Sequence, residues 1–167
     1  MRFETDRLII RELREEDASR FSTYRDKKEV SEYQSWNHFT LKDAIKRIKY
    51  ISKHPFKVRI GSNTQLAVCL KDGTMIGDLF IEVLSKNTIS IGYTLDSVYW
   101  HQGYGREMVK ALLSYMGHTY GFTRAMAYIY KENDRSRDLL LDLGFHKFDE
   151  SFYYHDEGYV CSIERFL

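Results

Sequence analysis

The stretch Tyr99–Glu107 (YWHQGYGRE) decides the fold, because it joins a strand-like run, Thr88–Leu95, to a helix with one apolar face. That face has helical spacing and consists of Met108, Val109, Leu112, Leu113 and Met116. Two glycines at such a junction allow a sharp turn and a close approach of the backbone to a ligand. The first N–H groups of a helix have no partner within it and attract anions. We therefore predict a pyrophosphate site at Gln102–Arg106, with Arg106 adding a charged contact.

Two common phosphate-binding motifs do not fit this stretch. A dinucleotide fingerprint, G-x-G-x-x-G, would need its third glycine where Met108 stands. A P-loop ends in G-K-[ST], and no such tripeptide follows Gly105. The alternative to a ligand site is a plain strand-to-helix turn that uses glycine for its geometry alone.

Turn and capping signals divide the rest of the chain into a mixed set of elements. Further helices are predicted after Asp17, after a capping box at Thr40–Asp43, and after Asn133 or Asp134. The predicted strands are Arg7–Leu13, Thr64–Leu70, Thr74–Leu84, Thr88–Leu95, Ala125–Tyr130, Phe145–Tyr154 and Tyr159–Phe166, with the last two joined by a turn at Asp156–Gly158.

This order predicts an α/β (α+β) fold in one domain, residues 1–167. We expect a mixed, mostly antiparallel central sheet of about seven strands with helices on both faces. Strand-helix-strand passages predict locally parallel pairs from Thr88 to Tyr130 and again from Ala125 to the end. The sheet should split where Thr88–Leu95 diverges from Ala125–Tyr130.

Composition narrows the classes of partner. The net charge is +1, so no sequence-wide basic field is present and no nucleic-acid partner is expected. No apolar run approaches the ~20 residues that span a bilayer, so no membrane partner is expected either. Cys69 and Cys161 have neither metal-site spacing nor a disulfide framework, which predicts two buried thiols, no metal and a cytoplasmic location.

The motifs in this order resemble the GNAT superfamily of N-acyltransferases, and more closely its RimJ/RimL branch of ribosomal-protein N-terminal acetyltransferases. Trp100–Gly105 fits the glycine positions of the family loop, [QR]-x-x-G-x-[GA], with Trp100 at the first position as is frequent in that branch. Glu4–Arg11 (ETDRLIIR) is similar to the branch's opening E-T-x-R-L-x-L-R. Further matches are Ile91–Tyr93, Asn133–Ser136 and Leu143–Phe145, so the resemblance covers nearly the whole chain.

The resemblance implies an acetyl-CoA-dependent N-acetyltransferase with a GNAT-like fold, in which an amine attacks the thioester directly without an acyl-enzyme. Leu95 would pair its backbone with the pantetheine arm of the cofactor, and Asn133 would hydrogen-bond the cofactor. Ser136 would protonate the leaving thiolate. The pyrophosphate would be held by backbone N–H groups of Gln102, Gly103, Tyr104, Gly105 and Arg106.

The acid has alternatives. Asn133 and Ser136 could simply form a helix start, with Asn133 as the cap. Many family members carry an acid tyrosine seven residues after the asparagine, where this chain has Leu140. Ser136, or a strand tyrosine such as Tyr130, is the acid that this departure favours.

The general base also has alternatives. Some relatives place a glutamate just before the I-G-Y triplet, where this chain has Ser90. Glu82 on the preceding strand is our candidate, and His155 and Glu157 near the terminal turn are the other two. For each of the three, the residue type alone favours a solvated surface group over a base.

The acceptor site of the resembled family lies in the region of Tyr33–Phe39 (YQSWNHF). Trp36 and Phe39 would line an acceptor pocket or close the core. The segment has no Asp or Glu, and burying several ammonium charges without partners is costly. This favours the α-amine of a protein or peptide N-terminus over a polyamine or aminoglycoside.

The alternative functions are a small-amine acetyltransferase and a non-catalytic acyl-CoA sensor. The preferred acyl group and the oligomeric state, a homodimer included, stay open.

Overall fold

The computed structural model describes residues 1–150 and 155–167. Within them, eight strands form one sheet in the order β1-β2-β3-β4-β5-β6-β8-β7. The strands are β1 (Arg2–Glu4), β2 (Leu8–Glu12), β3 (Asn63–Leu70), β4 (Met75–Ser85), β5 (Thr88–Leu95), β6 (Arg124–Tyr130), β7 (His146–Glu150) and β8 (Asp156–Ser162).

In the same described residues, five α-helices and three short 3₁₀ turns lie between these strands or after the last of them. The helices are α1 (Ala18–Arg25), α2 (Lys28–Ser31), α3 (Leu41–Lys53), α4 (Tyr104–Tyr120) and α5 (Asp134–Asp142). The 3₁₀ turns are Glu15–Asp17, Ser97–Tyr99 and Ile163–Phe166. Among the described residues, no helix combines the length and the apolar character that crossing a membrane requires.

The pairing of β5 with β6 creates the opening at the centre of the sheet. It is the one parallel pair among the described strands, and it covers three residue pairs, from Thr88 opposite Arg124 to Ser90 opposite Met126. Beyond Ser90 the two strands separate, which leaves the backbone edge of the last five residues of β5 unpaired on that side. The predicted mixed, mostly antiparallel sheet and its split are confirmed.

Three strand predictions need correction. The sheet has eight strands rather than about seven, because the three-residue β1, too short to leave a pattern, pairs with β2. The second predicted parallel pair does not form, since β8 lies between β6 and β7 and runs antiparallel to both. The predicted strand Tyr159–Phe166 ends at Ser162 and continues as a 3₁₀ turn.

The predicted turn at Asp156–Gly158 is wrong, because these residues form the start of β8 and pair with β6. Gly158 meets a packing need instead: a Cβ there would lie 2.8 Å from the ring of Phe148 on β7. Of the predicted strand Phe145–Tyr154, His146–Glu150 is observed as β7, and residues 151–154 lie outside the described residues.

Alternation along the strands builds an apolar core on each face of the sheet. Leu66 and Val68 of β3 pack in the cluster that contains the apolar face of α4 and part of α5. Ala67 and Cys69, the alternate residues, pack in a second cluster beneath α1 and α3. Helices therefore cover both faces, as predicted.

The capping predictions are confirmed in part. Thr40 and Asp43 form the capping box of α3, with Asp43 N–H donating to Thr40 Oγ1 (3.2 Å) and Thr40 N–H to Asp43 Oδ2 (2.9 Å). Asp17 precedes α1 as expected, yet its carboxylate does not cap the helix. It accepts two hydrogen bonds from Arg11 instead, at 2.7 and 2.8 Å.

Candidate active site

The start of α4 presents a cluster of backbone donors. Gly103 immediately precedes the helix in the left-handed conformation, with φ of 81°. The N–H of Glu107 donates to the carbonyl of Gly103 (3.1 Å) and makes the first bond of the helix. The N–H groups of residues 104–106 precede that bond, so they have no carbonyl partner within the helix and suit an anion.

The opening motif of the chain fixes this loop in place. Arg7 donates to the carbonyl oxygen of Gln102 (2.9 Å) and to the carboxylate of Glu107 (2.7 Å). Thr5 Oγ1 donates to the same carboxylate (2.5 Å). Burial acts to raise the pKa of Glu107, but the hydrogen bonds from Thr5 and Arg7 outweigh it and hold that pKa below its usual value. The motif that resembles the family's start therefore serves as the anchor of the glycine loop.

The two glycines of the loop meet different needs. Gly103 requires its positive φ, which side chains with a Cβ rarely adopt. Gly105 lies in the first turn of α4, where a Cβ would come 2.9 Å from Cδ1 of Leu139 on α5. Gly105 thus allows α4 and α5 to pack closely, and a larger residue there would meet a side chain of the protein.

A cavity of about 620 Å³ connects the start of α4 with the segment around α2. We call its lining by Gly103, Tyr104, Gly105 and Arg106 the phosphate end, and its lining by Val30, Tyr33 and Gln34 the acceptor end. The remaining lining residues are Tyr93, Thr94, Leu95, Tyr99, Trp100, His101, Met108, Asn133, Arg135, Ser136, Asp138, Leu139 and Asp142. Seven of the twelve residues singled out from the sequence lie on this one surface: Leu95, Gly103, Tyr104, Gly105, Arg106, Asn133 and Ser136.

The last residues of β5 form the floor between the two ends. The hydroxyl of Tyr93 donates to the backbone carbonyl of Ser136 (3.3 Å), and burial raises the pKa of Tyr93 well above its usual value. The carbonyl oxygen of Leu95 accepts a bond from Nε1 of Trp100 (2.8 Å). A carbonyl has two lone pairs, so a pantetheine amide at Leu95 would share the oxygen with the indole. Arg135 stacks on that indole, 3.4 Å from the ring centroid.

Asn133 and Ser136 form the start of α5, which agrees with the prediction of a helix start capped by Asn133. Oδ1 of Asn133 accepts a hydrogen bond from the N–H of Ser136 (3.1 Å). This bond uses the oxygen of the amide side chain and leaves its NH₂ group out of the cap. Both residues line the cavity, so the cap and a ligand contact are compatible.

Arg106 and Gln102 have protein partners. Arg106 lies at the phosphate end and faces Asp142 of α5 at 3.6 Å, with 60% of its side chain exposed. Nε2 of Gln102 donates to the carbonyl of Val98 (3.0 Å). Gln102 is not among the described residues that line the cavity.

Tyr130, Glu82, Trp36 and Phe39 are not brought to the cavity, as far as the described lining residues show. Tyr130 ends β6 opposite Asp156 of β8. Glu82 lies half-buried on β4, opposite Ser90 of β5.

Trp36 and Phe39 instead cover a buried arginine. Nε1 of Trp36 donates to the carbonyl of Arg25 (3.0 Å), and the guanidinium of Arg25 lies 3.6 Å from the Trp36 ring centroid. Phe39 packs edge-on against Phe21 in the core beneath α1 and α3. These contacts correspond to the core-closing role that the sequence left open for both residues.

Glu157 is held in a cationic cluster away from the cavity lining. It is 5% exposed and accepts hydrogen bonds from Arg137 (3.1 Å), Lys147 (3.0 Å) and Tyr159 (2.8 Å). Burial acts to raise the pKa of Glu157, but these bonds outweigh it and keep that pKa low, which makes the carboxylate a poor base. His155, the other alternative, is exposed with φ of 53°.

Several cavity residues were not singled out from the sequence, and four of them matter for the site: Tyr33, Gln34, Tyr93 and Arg135. Tyr93 was quoted as part of a strand motif, and its place two residues before Leu95 puts both on the same face of β5. Tyr33 and Gln34 stand in the aromatic segment from which the larger Trp36 was chosen. Arg135 lies within the Asn133–Ser136 motif, and no signal in the sequence pairs it with Trp100.

A split parallel strand pair beside a glycine-led helix start defines a class of acyl-CoA N-acyltransferases by its fold and cavity. Residues 7–146 match the family model described as "Acetyltransferase (GNAT) domain". The chain belongs to the GNAT family of acetyltransferases, as the resemblance implied. Among the described residues, no group of three or more His, Cys, Asp or Glu side chains could hold a metal ion.

Relatives agree with this family and differ in their acceptors. The chain is 26% identical over 150 residues to the uncharacterized N-acetyltransferase YoaA of Bacillus subtilis, covering 86% of this chain and 82% of that protein. The ribosomal-protein-S5-alanine acetyltransferase of Vibrio fischeri has the same fold, with a TM-score of 0.80 at 20% identity over 100% and 99% of the two chains. So has spermidine N-acetyltransferase of Vibrio cholerae in complex with CoA and spermine, with a TM-score of 0.80 at 13% identity over 97% and 99%.

Proposed function

We propose that residues 1–167 act as one acetyltransferase domain that moves the acetyl group of acetyl-CoA to the α-amine of a protein or peptide N-terminus. The observation that carries this proposal is the single cavity with two chemically different ends. Its phosphate end consists of the donors at the start of α4, and its acceptor end consists of the uncharged residues Val30, Tyr33 and Gln34.

In this proposal the cofactor extends from the phosphate end along the free edge of β5. The N–H groups of residues 102–106 hold the pyrophosphate, aided by the dipole of the 17-residue α4. The pantetheine arm enters the split and pairs with backbone groups at Tyr93 and Leu95. The NH₂ group of Asn133 donates to the arm while its oxygen caps α5.

The reaction needs one nucleophile, one acid and one base. The neutral amine attacks the thioester carbonyl, the C–N bond forms, and the C–S bond breaks as the tetrahedral intermediate collapses. Ser136 protonates the departing thiolate, and Tyr93, whose raised pKa keeps it protonated, is the second hydroxyl on the same surface. Glu82, the base predicted from the sequence, lies opposite Ser90 and outside the described cavity lining. In this proposal water therefore takes the amine proton and returns a proton to Ser136. The acetyl group passes directly to the amine, so the protein carries no acetyl intermediate.

The acceptor end favours a single amine over a polycation. Five carboxylates stand near the acceptor segment or could fold toward it: Glu29, Glu32, Asp78, Glu82 and Glu157. Two of them are bound by cations outside the described cavity lining. Asp78 is 1% exposed and bonded to Arg25, and Glu157 is bonded to Arg137 and Lys147. Glu29 is exposed beside the acceptor end and accepts a hydrogen bond from the hydroxyl of Ser97. A polyamine would leave several ammonium groups without counter-charges, whereas one α-amine among neutral peptide groups needs far fewer.

The testing experiment offers a mixture of acceptors to the full chain. Acetyl-CoA is incubated with N-terminal peptides, spermidine, spermine and an aminoglycoside in competition, and products are identified by mass spectrometry together with thiol release. We expect peptide acetylation on the α-amine and no acetyl group retained on the protein. A kcat/KM for any polycation that exceeds that for every peptide by tenfold would make this a small-amine acetyltransferase. Acetyl-CoA binding without turnover of any amine would instead support an acyl-CoA sensor.

The cellular location and the assembly are part of the proposal. Cys69 and Cys161 are both free and buried, which suits a reducing, cytoplasmic compartment. A homodimer stays a prediction, which light scattering at two protein concentrations tests directly.

A further inference from the structure

A buried carboxylate outside the cavity lining links the acceptor end to the end of β5. Asp96 follows the last residue of β5 and is 1% exposed. Its N–H donates to the carbonyl of Ile76 (2.8 Å), and its carbonyl accepts from the N–H of Tyr99 (2.9 Å). The backbone of Asp96 is therefore fixed to β4 on one side and to the turn after β5 on the other.

Each carboxylate oxygen of Asp96 accepts a hydrogen bond from a different cationic side chain, one before α2 and one in α1. Oδ1 accepts from Nζ of Lys27 (2.5 Å), in the turn before α2. Oδ2 accepts from Nη2 of Arg20 in α1, and Nε of the same arginine donates to the carbonyl of Met75 (2.9 Å). One carboxylate thus ties both α1 and the entry to α2 to the end of β5.

The tied elements carry the residues of the acceptor end and of the floor next to it. The segment of α2 and the three residues after it supplies Val30, Tyr33 and Gln34, and β5 supplies Tyr93–Leu95. A second contact, from Oγ of Ser97 to the carboxylate of Glu29 (2.8 Å), joins the same two regions. The phosphate end is held independently, by Arg7 and Thr5 on Glu107.

We propose that Asp96 is a positioning residue for the amine acceptor: it sets the place of the α2 segment relative to β5 without touching substrate. This inference rests on the proposed transfer to an amine. Removing the charge at Asp96 releases the α2 segment and misplaces the acceptor, while cofactor binding at the other end is retained. Small displacements of a bound reactant lower reaction rates strongly, so the effect appears in the kinetics of the acceptor.

The chain contains a matched control for this test. Asp17 is also a buried carboxylate, 6% exposed, with a bidentate bond to Arg11 and a bond from the N–H of Arg14 (2.8 Å). It lies at the start of α1, among residues that do not line the cavity. Asp96→Asn and Asp17→Asn are compared for thermal stability, acetyl-CoA affinity by calorimetry, and KM and kcat for the amine that the wild-type chain acetylates best.

The expected result separates the two variants. Both lower the melting temperature, both bind acetyl-CoA within twofold of wild type, and Asp96→Asn alone raises the acceptor KM, by about tenfold. If Asp96→Asn does not fold, Lys27→Met removes one tie and keeps the bond to Arg20, with a smaller rise of the same kind. Equal KM changes in the two aspartate variants, or an unchanged KM in Asp96→Asn, would overturn the positioning role.

A second readout does not depend on turnover. Hydrogen exchange of amides in residues 28–34 should become faster in Asp96→Asn and not in Asp17→Asn, with α4 unchanged in both. Unchanged exchange in residues 28–34 would overturn the proposal even if the wild-type chain acetylated no amine. Absence of turnover in the wild type, with faster exchange in Asp96→Asn, would contradict only the proposed function.

Discussion

The phosphate end and the acceptor end of the cavity are built in opposite ways. The phosphate end consists mainly of consecutive backbone groups, so a short stretch of sequence, Gly103–Arg106, contains most of it. The acceptor end consists of side chains from α2 and the residues just after it, which are about 60 residues from β5 in the chain and are joined to it through Asp96. A site made of consecutive backbone groups can be predicted from a short stretch of sequence, whereas a site made by tertiary contacts cannot.

The largest expected effect concerns Ser136, which lies between the two ends. Ser136→Ala should lower kcat by about 10²-fold or more, the range for general acid catalysis, with acetyl-CoA affinity unchanged. The N-cap bond is kept, because it uses the backbone N–H of that residue. Steady-state kinetics and calorimetry measure both quantities. Tyr93→Phe is the companion variant, and full turnover in Ser136→Ala with loss in Tyr93→Phe would assign the acid to Tyr93.

The next largest effect is expected at the phosphate end, and it is tested with the two glycines that flank α4. Gly103→Ala should weaken acetyl-CoA binding roughly tenfold to a hundredfold, because it disturbs donors whose bonds to a charged group contribute about 1.5–3 kcal/mol each. Gly121→Ala, at the other end of α4, is the control. Its φ of 73° imposes a similar left-handed strain, and a Cβ there has no atom of the described chain within 4 Å.

Calorimetric titration with acetyl-CoA distinguishes these glycine variants. Equal affinities in folded Gly103→Ala and Gly121→Ala proteins would remove the pyrophosphate from the start of α4. Gly105 is a weaker test of the same point, because its Cβ would contact Leu139 and alter helix packing whether or not a ligand is bound.

A smaller effect separates the two roles of Asn133. Asn133→Ser keeps an oxygen that caps α5 and removes the NH₂ group, so stability should change little while acetyl-CoA affinity falls about threefold to tenfold. Asn133→Ala removes both and should also cost about 1 kcal/mol of stability. Affinity in Asn133→Ser equal to wild type would leave Asn133 as a helix cap alone.

The smallest expected effect is a loss of stability at high pH, caused by the one buried thiol in each of the two cores. Burial raises the pKa of Cys69, beneath α1 and α3, and raises the pKa of Cys161, in the α4 core, to about 12. The unfolded chain releases these protons above pH ~8.5 while the folded chain keeps them, so stability falls as pH rises through that value. The Cys161 thiol should lower the free energy of unfolding by about 1 kcal/mol between pH 8 and 9.5, and the Cys69 thiol should change it in the same direction.

Urea unfolding at several pH values checks this effect, with Cys69→Ala and Cys161→Ala as single variants. Each variant should lose part of the decline between pH 8 and 9.5. A decline of the same size in the double variant would assign it to other groups.

The fold was largely predictable because its signals are local. The apolar face of α4, the capping box of α3 and the alternation in β3 each specify an element from neighbouring residues. The turn predicted at Asp156–Gly158 failed because Gly158 serves a close approach to Phe148, a contact between strands that composition does not reveal. The short β1 left no pattern at all.

In the candidate site too, only the residues with local sequence signals were predictable. Gly103 and the cap Asn133 are recognised from their neighbours in sequence. Trp36 was predicted either to line an acceptor pocket or to close the core, and its ring covers Arg25, a partner that only the folded chain brings to it. Asp96 carried no signal, because its importance depends on Arg20 in α1 and Lys27 before α2, which only the folded chain brings to it.

The central claim is that the start of α4 holds the pyrophosphate of CoA and directs the thioester into the split beside Ser136. A crystal structure of the chain with bound CoA tests this most directly. We predict phosphate oxygens within 2.7–3.2 Å of N–H groups in residues 102–106, and the sulfur between β5 and α5 within reach of the Ser136 hydroxyl. Phosphates bound elsewhere, or a sulfur outside the split, would contradict the account.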